Sequence, residues 1–158
     1  MKIAVAGVGY VGLSLAVLLA QEGDKRTAGD LLLQALEMSQ QRNLALEAVS
    51  MLCEDKRYAE ALAAIDRLPL GVRRIGRMKM LRIEALLGIG ETREAERLLK
   101  QPIVLTDVKE GEVTPSRLWF WMCACKKAEE EGTQVTEAVI EEMSRTVTPP
   151  RHLDFRMK

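Results

Sequence analysis

The sequence is poor in aromatic residues and in the side chains that form disulfides and metal sites. Aromatic residues make up 4% of the 158 positions, and the abundance of Ala, Leu, Glu, Lys and Arg favours helix over sheet. Three cysteines, Cys53, Cys123 and Cys125, form no disulfide framework and indicate a reducing compartment, so we expect a cytoplasmic protein. Because there is a single histidine, His152, no zinc site with a familiar ligand spacing is expected.

The sequence also lacks net charge. Its 23 basic and 23 acidic side chains cancel, so no overall field draws the chain to nucleic acid or to an anionic membrane. We therefore expect neither of these as a partner.

No arrangement of side chains typical of a catalytic site is evident. His152 follows Pro149-Pro150 near the C-terminus, and no serine or cysteine is placed to pair with it. The acidic runs Glu129-Glu130-Glu131 and Glu141-Glu142 are typical of solvated helix faces. These observations predict a protein without enzymatic activity, metal or cofactor.

A helical phrase recurs along the chain with a period of about 34 residues, which is typical of stacked helix-turn-helix repeats. Tyr58-Ala59-Glu60-Ala61 is followed one period later by Thr92-Arg93-Glu94-Ala95, and a step of nearly the same length back from Ala61 reaches Ala28. Apolar positions keep the same register: Leu44 with Met78, Leu46 with Met80, Val49 with Ile83, Leu52 with Leu86, and Ile65 with Leu99 and Leu32. The sequence therefore predicts a single all-α domain, an α-solenoid of about four helical hairpins.

Glycines, prolines and polar turns between the apolar stretches give the predicted boundaries. We place hairpins at 12–42, 43–70, 72–102 and 115–146, with an apolar arm over 1–11 and a tail over 147–158. Asn43 and Thr114 are predicted N-caps, and Pro69-Leu70-Gly71 is predicted to end the second hairpin. The predicted helices are Gly12 to Gln21, Lys25 to Met38, Asn43 to Cys53, Arg57 to Leu68, Arg73 to Leu87, Glu91 to Lys100, Pro115 to Glu131 and Thr133 to Arg145.

The first twenty residues allow three interpretations. Ile3 to Ala20 carries no charge, as a membrane span or a signal sequence would require. Gly7, Gly9 and Gly12 interrupt this run, a single lysine precedes it, and no small-x-small cleavage site ends it. We therefore do not favour a membrane span or a signal sequence. The other two interpretations both make residues 13–21 a helix and differ in what that helix packs against.

One of these is a dinucleotide-binding fingerprint, since Gly7-Val8-Gly9-Tyr10-Val11-Gly12 is a complete G-x-G-x-x-G after a strand-like Lys2 to Ala6. Met1 to Gln21 closely resembles the start of the UDP-glucose dehydrogenase family. The resemblance implies that Gly7, Gly9 and Gly12 form an NAD-binding loop. Such a site also requires a strand that ends in an acidic residue about 20 positions further on. Asp30 lies near that distance, but the residues before it are polar and unlike a strand.

The other interpretation makes residues 12–21 the first helix of the array, with Gly23 in the following turn. The facing apolar stripe is then Leu15, Leu19, Leu32 and Leu36. We prefer this interpretation because residues beyond 22 fit the repeat and none fits a sheet. An NAD-binding fragment is the alternative function.

The repeat resembles the tetratricopeptide repeat family. The family's small residue in the second helix is matched by Ala28, Ala61, Ala95 and Ala138, and its turn glycine by Gly23 and Gly90. More narrowly, residues from about 23 to 158, including the ending 149–155, are similar to the C-terminal repeat region of large bacterial proteins with a domain of unknown function. The resemblance implies a protein-interaction or scaffold module. A dehydrogenase-like start joined to such a region suggests a chimera, a gene rearrangement or a designed sequence.

In repeat arrays the first helices line a surface that binds a protein or a peptide. Four arginines lie on or beside one stripe of the predicted helix Arg73 to Leu87: Arg73 and Arg77 share the stripe with Glu84, and Arg74 and Arg82 flank it. This pattern predicts either docking of a peptide carboxylate or acidic segment, or a solvated face in which Arg77 pairs with Glu84.

Two apolar features complete the list of candidate contact surfaces. Trp119, Phe120 and Trp121 cannot all face inward on one helix, so we expect Trp119 or Trp121 to pack at the end of the array or to lie in a contact surface. The segment Ile3 to Val11 predicts association between two copies of the chain if it stays exposed.

Overall fold

The computed structural model describes residues 18, 22–39, 41–106 and 111–155, and these ranges are all-α. No β-strand occurs in them, which confirms for this part of the chain that the fold is all-α. No helix in them is long and apolar enough to cross a lipid bilayer. The helices with both ends in these ranges are α1 (Lys25–Met38), α2 (Arg42–Glu54), α3 (Tyr58–Arg67), α4 (Leu70–Arg73), α5 (Gly76–Gly88), α6 (Thr92–Leu99), α7 (Thr114–Glu131), α8 (Glu137–Thr146) and a 3₁₀ helix, Arg151–Leu153.

The chain divides into two compact units, Met1–Arg74 and Ile75–Lys158. In the first unit, α2 packs against both α1 and α3. Each helix buries one stripe of side chains that recur three or four residues apart, as the helical period requires. These buried side chains include Ala28, Leu32 and Leu36 of α1, Ala45, Ala48, Val49 and Leu52 of α2, and Ala61, Ala64 and Ile65 of α3.

In the second unit, α7 is the central element. It contacts α5, α6, α8 and the 3₁₀ helix, while α5 and α6 also pack against each other. With 18 residues, α7 is long enough to contact all four of these elements. The buried side chains include Met78, Ile83 and Leu86 of α5, Ala95 and Leu99 of α6, Leu118, Phe120, Met122 and Ala124 of α7, and Ile140 and Met143 of α8.

Three turns share one backbone conformation and recur with the period of the sequence repeat. Their left-handed residues are Gly23, Lys56 and Gly90, with φ of 89°, 58° and 85°. The next residue in each turn is the N-cap of a helix, with φ between −87° and −79° and ψ between 52° and 63°. Positive φ is unfavourable for a residue with a side chain, so Lys56 carries backbone strain that the two glycines avoid.

The fourth residue after each of these N-caps is an alanine with no exposed surface. The three are Ala28, Ala61 and Ala95. The amide of each donates to the carbonyl of its own N-cap at 3.0 or 3.1 Å, which places the alanine in the first turn of its helix. Ala138, matched with them in the sequence, is exposed instead. The reason is that α8 buries Ile140 and Met143, which lie on a different stripe.

The predicted helix Arg73 to Leu87 is wrong at its start. Arg73 ends α4, and α5 begins at Gly76. Ile75 between them has an extended backbone, with φ −62° and ψ 136°, so the helix is not continuous. The stop predicted at Pro69-Leu70-Gly71 agrees with the end of α3, whose C-cap is Leu68. A further short helix, α4, follows directly, with Pro69 as its N-cap. A proline at this end of a helix costs no hydrogen bond, because the first amides of a helix have no partner within it.

Both predicted N-caps are also wrong. Asn43 lies inside the first turn of α2, and Thr114 is the first residue of α7 rather than its cap. The Thr114 hydroxyl donates to Glu112 instead of capping. The side chains that do cap helices are those of Asp24 for α1 and Thr136 for α8. The last helix therefore begins after Thr136, later than predicted.

The segment predicted as a C-terminal tail is packed within the second unit. Leu153 is 1% exposed, and its 3₁₀ helix contacts α7. His152 Nε2 lies 2.9 Å from the carbonyl oxygen of Leu99, near the end of α6. Because a carbonyl only accepts hydrogen bonds, Nε2 carries the proton. The segment therefore links the end of α6 to α7.

Gly76, the first residue of α5, lies directly against the backbone of the segment that follows α6. A Cβ at this position would overlap the Val104 carbonyl oxygen and would be 2.9 Å from Leu105 Cδ2. The segment 103–105 crosses α5 here, and this approach requires a residue without a side chain.

Gly76→Ala is expected to destabilise the second unit, because the new methyl group overlaps the Val104 carbonyl and the segment 103–105 must move. We expect a loss of about 1–3 kcal/mol in the free energy of unfolding, as for an overpacked core. Gly71→Ala is the matched control, since a helical Cβ there meets nothing within 4 Å. Urea unfolding is followed by tryptophan fluorescence for the second unit, which holds both tryptophans, and by circular dichroism for both units, since Gly71 lies in the first. Equal midpoints for the two variants would contradict the expectation.

Leu153→Ala is expected to reduce the free energy of unfolding by about 2–4 kcal/mol, because it leaves a cavity under the 3₁₀ helix. Val104→Ala is the control, since Val104 is 72% exposed and its truncation should change stability by less than about 0.5 kcal/mol. The same urea titration measures both. A Leu153 variant as stable as the Val104 variant would show that the C-terminal segment does not stabilise the unit.

Candidate functional site

The four predicted arginines do not form one stripe on one helix. Arg73 ends α4 and Arg74 follows it, both in the first unit, whereas Arg77 and Arg82 lie on α5 in the second unit. Arg77 and Arg82 are five positions apart on α5, which separates them by about 140° around the helix axis. Arg73 Nε is buried and has no hydrogen-bond partner among the described residues.

Arg77 forms an ion pair that holds the chain before α7 against α5. Its Nη2 lies 3.0 Å from Glu112 Oε2, and the two side chains are 28% and 15% exposed. Glu112 also accepts hydrogen bonds from the hydroxyl and the amide of Thr114. These bonds from Thr114, together with the Arg77 guanidinium, lower the pKa of Glu112 below its usual value. Arg77 therefore stabilises the packing of this segment against α5. Arg82 and Glu84 also have interaction partners.

Trp119 and Trp121 pack against a buried cluster at the junction of α7 and α8. The cluster consists of Phe120, Ala124, Ile140 and Met143, and both tryptophans are partly buried against it. Of the two roles expected for these tryptophans, packing therefore has structural support. Trp119 Nε1 is buried and has no hydrogen-bond partner among the described residues.

Cys123 and Cys125 lie in environments that favour the protonated thiol. Burial raises the pKa of both Cys123 and Cys125. Cys125 lies near Thr92, whose hydroxyl donates to Glu129 Oε1 at 2.6 Å. A thiol nucleophile needs a lowered pKa, so these two groups are poor nucleophiles. Within the described ranges, no three His, Cys, Asp or Glu side chains are grouped to hold a metal ion.

The glycine fingerprint, Gly7, Gly9 and Gly12, lies outside the described residues, as does the apolar arm. The acidic residue at the distance expected for a ribose contact, Asp30, is within α1 and not at the end of a strand. Its carboxylate accepts a hydrogen bond from Arg57 at 2.6 Å.

The first unit contains a groove that sequence reasoning missed. It has a volume of about 430 Å³ and lies between α1 and α3. Both walls have aliphatic side chains, and charged side chains stand at the edges. The lining residues are Leu33, Leu36 and Glu37 of α1, with Glu60, Ala63, Ala64 and Arg67 of α3 and Leu68 after it. The adjacent Ala63 and Ala64 are the sequence signal that α3 leaves space on this side.

Arg57 joins the beginnings of α1 and α3. The Arg57 side chain is 13% exposed, and its Nη2 lies 2.6 Å from carboxylate oxygens of both Asp30 and Glu60. It also donates to the carbonyl of Arg26, and a Cβ at Gly29 would lie 3.2 Å from its Nη1. Hydrogen bonding and charge from Arg57 lower the pKa of Glu60. Because Arg57 immediately precedes α3 and reaches the first turns of α1, the two helices begin at the same end of the groove.

Comparison of the chain with protein-family models, with curated proteins and with solved structures gives no match. The family resemblances noted in the sequence therefore stay predictions, and the function has to be argued from the geometry.

The ion pair of Glu112 should contribute to the pH dependence of stability. The pKa of this carboxyl group is lower in the folded chain than the ordinary value near 4.3, so its stabilising effect is complete above about pH 5 and is lost as the pH falls through the folded-state pKa. We expect Glu112→Gln to lower the melting temperature near neutral pH, and the wild-type and variant melting temperatures to converge as the pH falls below the folded-state pKa of Glu112.

Glu130→Gln is the matched control, because Glu130 is an exposed residue of α7 and forms no ion pair among the described residues. Its melting temperature should follow the wild type from acid to neutral pH. A constant difference between wild type and Glu112→Gln over this range would contradict the assigned pKa direction.

Proposed function

We propose that the chain is a tetratricopeptide-like array of helical hairpins that serves as a non-catalytic protein-interaction or scaffold module. The observation that carries the proposal is the recurrence of one turn at Gly23, Lys56 and Gly90, each followed by a helix with a fully buried alanine. The spacing of these turns, about 34 residues, matches the length of one tetratricopeptide unit. The helices joined by the second and third turns pack against each other, as hairpins in such arrays do.

The hydrogen bonds of the second and third turns also correspond residue by residue. The amide of Arg57 donates to the Leu52 carbonyl at 2.8 Å, and the amide of Glu91 donates to the Leu86 carbonyl at 2.9 Å. Donors and acceptors are both displaced by one period of the repeat, and Leu52 with Leu86 is a pair already aligned by the apolar pattern. Each bond closes the C-terminus of the first helix of a hairpin in the manner of a Schellman motif. A shared turn type alone would be weak support for a repeat. Here the hydrogen-bond donor and acceptor also occupy the same positions within each repeat unit.

The protonation of the thiols and the pairing of Arg77 favour a binding function over a catalytic one. Burial keeps the thiols of Cys123 and Cys125 protonated, and Arg77 is committed to an ion pair within the fold. Stacked hairpins, in contrast, present long rows of exposed side chains for a small buried core, which suits them to recognise proteins or peptides. No described feature favours the NAD-binding alternative, since Asp30 lies on a helix and pairs with Arg57.

A peptide selection tests the proposal. The full chain is immobilised and presented with a displayed library of amphipathic and acidic peptides, and selected sequences are resynthesised and titrated by calorimetry. We expect dissociation constants on the order of micromolar, about −8 kcal/mol in binding free energy, and no heat from scrambled versions of the same peptides.

The alternative is tested in the same preparation by melting the chain with and without NAD. We expect no change in melting temperature at cofactor concentrations below about 1 mM, since only a ligand that binds the folded chain raises it. A selection that yields no saturable peptide, together with a melting shift that NAD causes and free nicotinamide does not, would replace the interaction module by a dinucleotide-binding fragment.

A further inference from the structure

We propose that the groove between α1 and α3 binds an amphipathic helix of a partner protein, whose apolar stripe fills the groove and whose flanks carry one basic and one acidic side chain. The basic side chain pairs with Glu37 and the acidic one with Arg67. This inference rests on the proposed interaction function and specifies its site and the chemistry of the ligand.

The shape of the groove follows from how the first unit is packed. α1 and α3 both pack against α2, and the space of about 430 Å³ lies between these two outer helices. This volume is within the range, about 300–1,000 Å³, of cavities that bury a ligand. Leu33 and Leu36 line it from α1 and Ala63 and Ala64 from α3, so a large apolar side chain finds room above the alanines.

The nature of the walls favours a helix over an extended strand as the occupant. Both walls are α-helices, whose backbone amides and carbonyls are already bonded within the helix. An extended peptide would enter an apolar groove with its own backbone groups unpaired, which is unfavourable. A helix satisfies its backbone internally and offers side chains at i, i+3, i+4 and i+7, the pattern of helix-in-groove recognition.

The charges at the edges of the groove differ between its two ends. At the end where both helices begin, Glu60 and Asp30 are compensated by Arg57 at 2.6 Å. Toward the other end, Glu37 on α1 and Arg67 on α3 form no ion pair or hydrogen bond with any described residue. Within the part of the chain that the structure describes, one wall therefore offers a negative charge without a partner and the opposite wall a positive one. A helix lying between them is complemented best when its two flanks carry opposite signs.

The test uses three synthetic, fluorescein-labelled helices with one common leucine stripe. Their flanks are mixed (one basic, one acidic), both acidic or both basic, so that the preference does not depend on the direction in which the peptide lies. Fluorescence anisotropy at low ionic strength measures the affinity of each peptide for the full chain. We expect wild type to bind the mixed helix about fivefold or more tighter than the other two, the effect of replacing a like-charge contact by an opposite one.

Reversing the charge on one wall of the groove at a time should change which of the three peptides binds most tightly. Glu37→Lys makes both walls basic and should select the helix with two acidic flanks. Arg67→Glu makes both walls acidic and should select the helix with two basic flanks. Both side chains are exposed, so these variants should fold as wild type, which circular dichroism checks.

Filling the groove should abolish binding. Ala63 is exposed and lines the groove, so Ala63→Trp occupies it without entering the core. Ala59→Trp is the matched control on the same helix, because Ala59 is also exposed but is not part of the lining. We expect at least tenfold weaker binding of the mixed helix to the Ala63 variant and unchanged binding to the Ala59 variant, as for loss of a central apolar contact.

Three results would overturn the inference: no binding of the mixed helix to wild type, equal binding to the Ala63 and Ala59 variants, or preferences that do not follow the wall charges. A chain that sediments as a dimer and becomes monomeric on Ala63→Trp would identify a second copy as the occupant, which also overturns it. If library-selected peptides bind the Ala63 variant unchanged, the interaction function stands and the groove assignment alone fails.

Discussion

The close approach of two helices at a buried alanine is the constraint on which each hairpin depends. Ala61 and Ala95 expose no surface, so the atoms of neighbouring residues enclose their methyl groups completely. The left-handed residue before each helix reverses the chain within a few residues, which brings the paired helices together near that point. A larger side chain would separate the helices and open the core that lies further along them, where packing is dense and tolerates little added volume.

In the first unit, this constraint determines where the groove lies. With α3 held against α2 near Ala61, the residue just before α3, Arg57, reaches across to α1. Gly29 provides the room for its guanidinium, and the carboxylates of Asp30 and Glu60 neutralise it. An ionic cluster thus lies at one end of the space between α1 and α3, with the Arg57 side chain mostly buried and its two carboxylate partners about half exposed. The rest of the space is bounded by aliphatic side chains, which no described residue covers completely.

The sequence predicts those parts of the structure that local periodicity determines. The apolar stripe of Leu32 and Leu36 gives helix α1 with its correct ends, and the hairpins of α2 with α3 and of α5 with α6 are found to within a few residues. The start of α5 could not be predicted in this way. Arg73 to Ile75 have ordinary helix propensity, and the first residue of α5, Gly76, lies against the carbonyl of Val104, a contact between residues far apart in the chain that local periodicity does not report.

The candidate binding residues were harder to predict for the same reason. A stripe of arginines has the same pattern whether it faces solvent or a distant carboxylate, and the partner of Arg77, Glu112, lies 35 residues away. Trp119 and Trp121 are one position away from the core residue Phe120 on either side, so periodicity alone could not decide between packing and recognition. The groove was missed because Leu33 and Ala64 fit a core pattern, and a gap between two helices has no period in the sequence.

The two units use their charged residues differently, and this difference bears on where binding takes place. In the second unit, Arg77 with Glu112 and Lys127 with Glu142 join neighbouring segments of the fold. In the first unit, Glu37 and Arg67 stand beside an apolar surface without such partners among the described residues. Exposed charges of this kind cost little in water, but they become selective when a ligand excludes water from the groove, since a ligand of the wrong sign then leaves a charge unpaired. The apolar walls supply most of the binding free energy in this arrangement, and the two charges determine which helices are accepted.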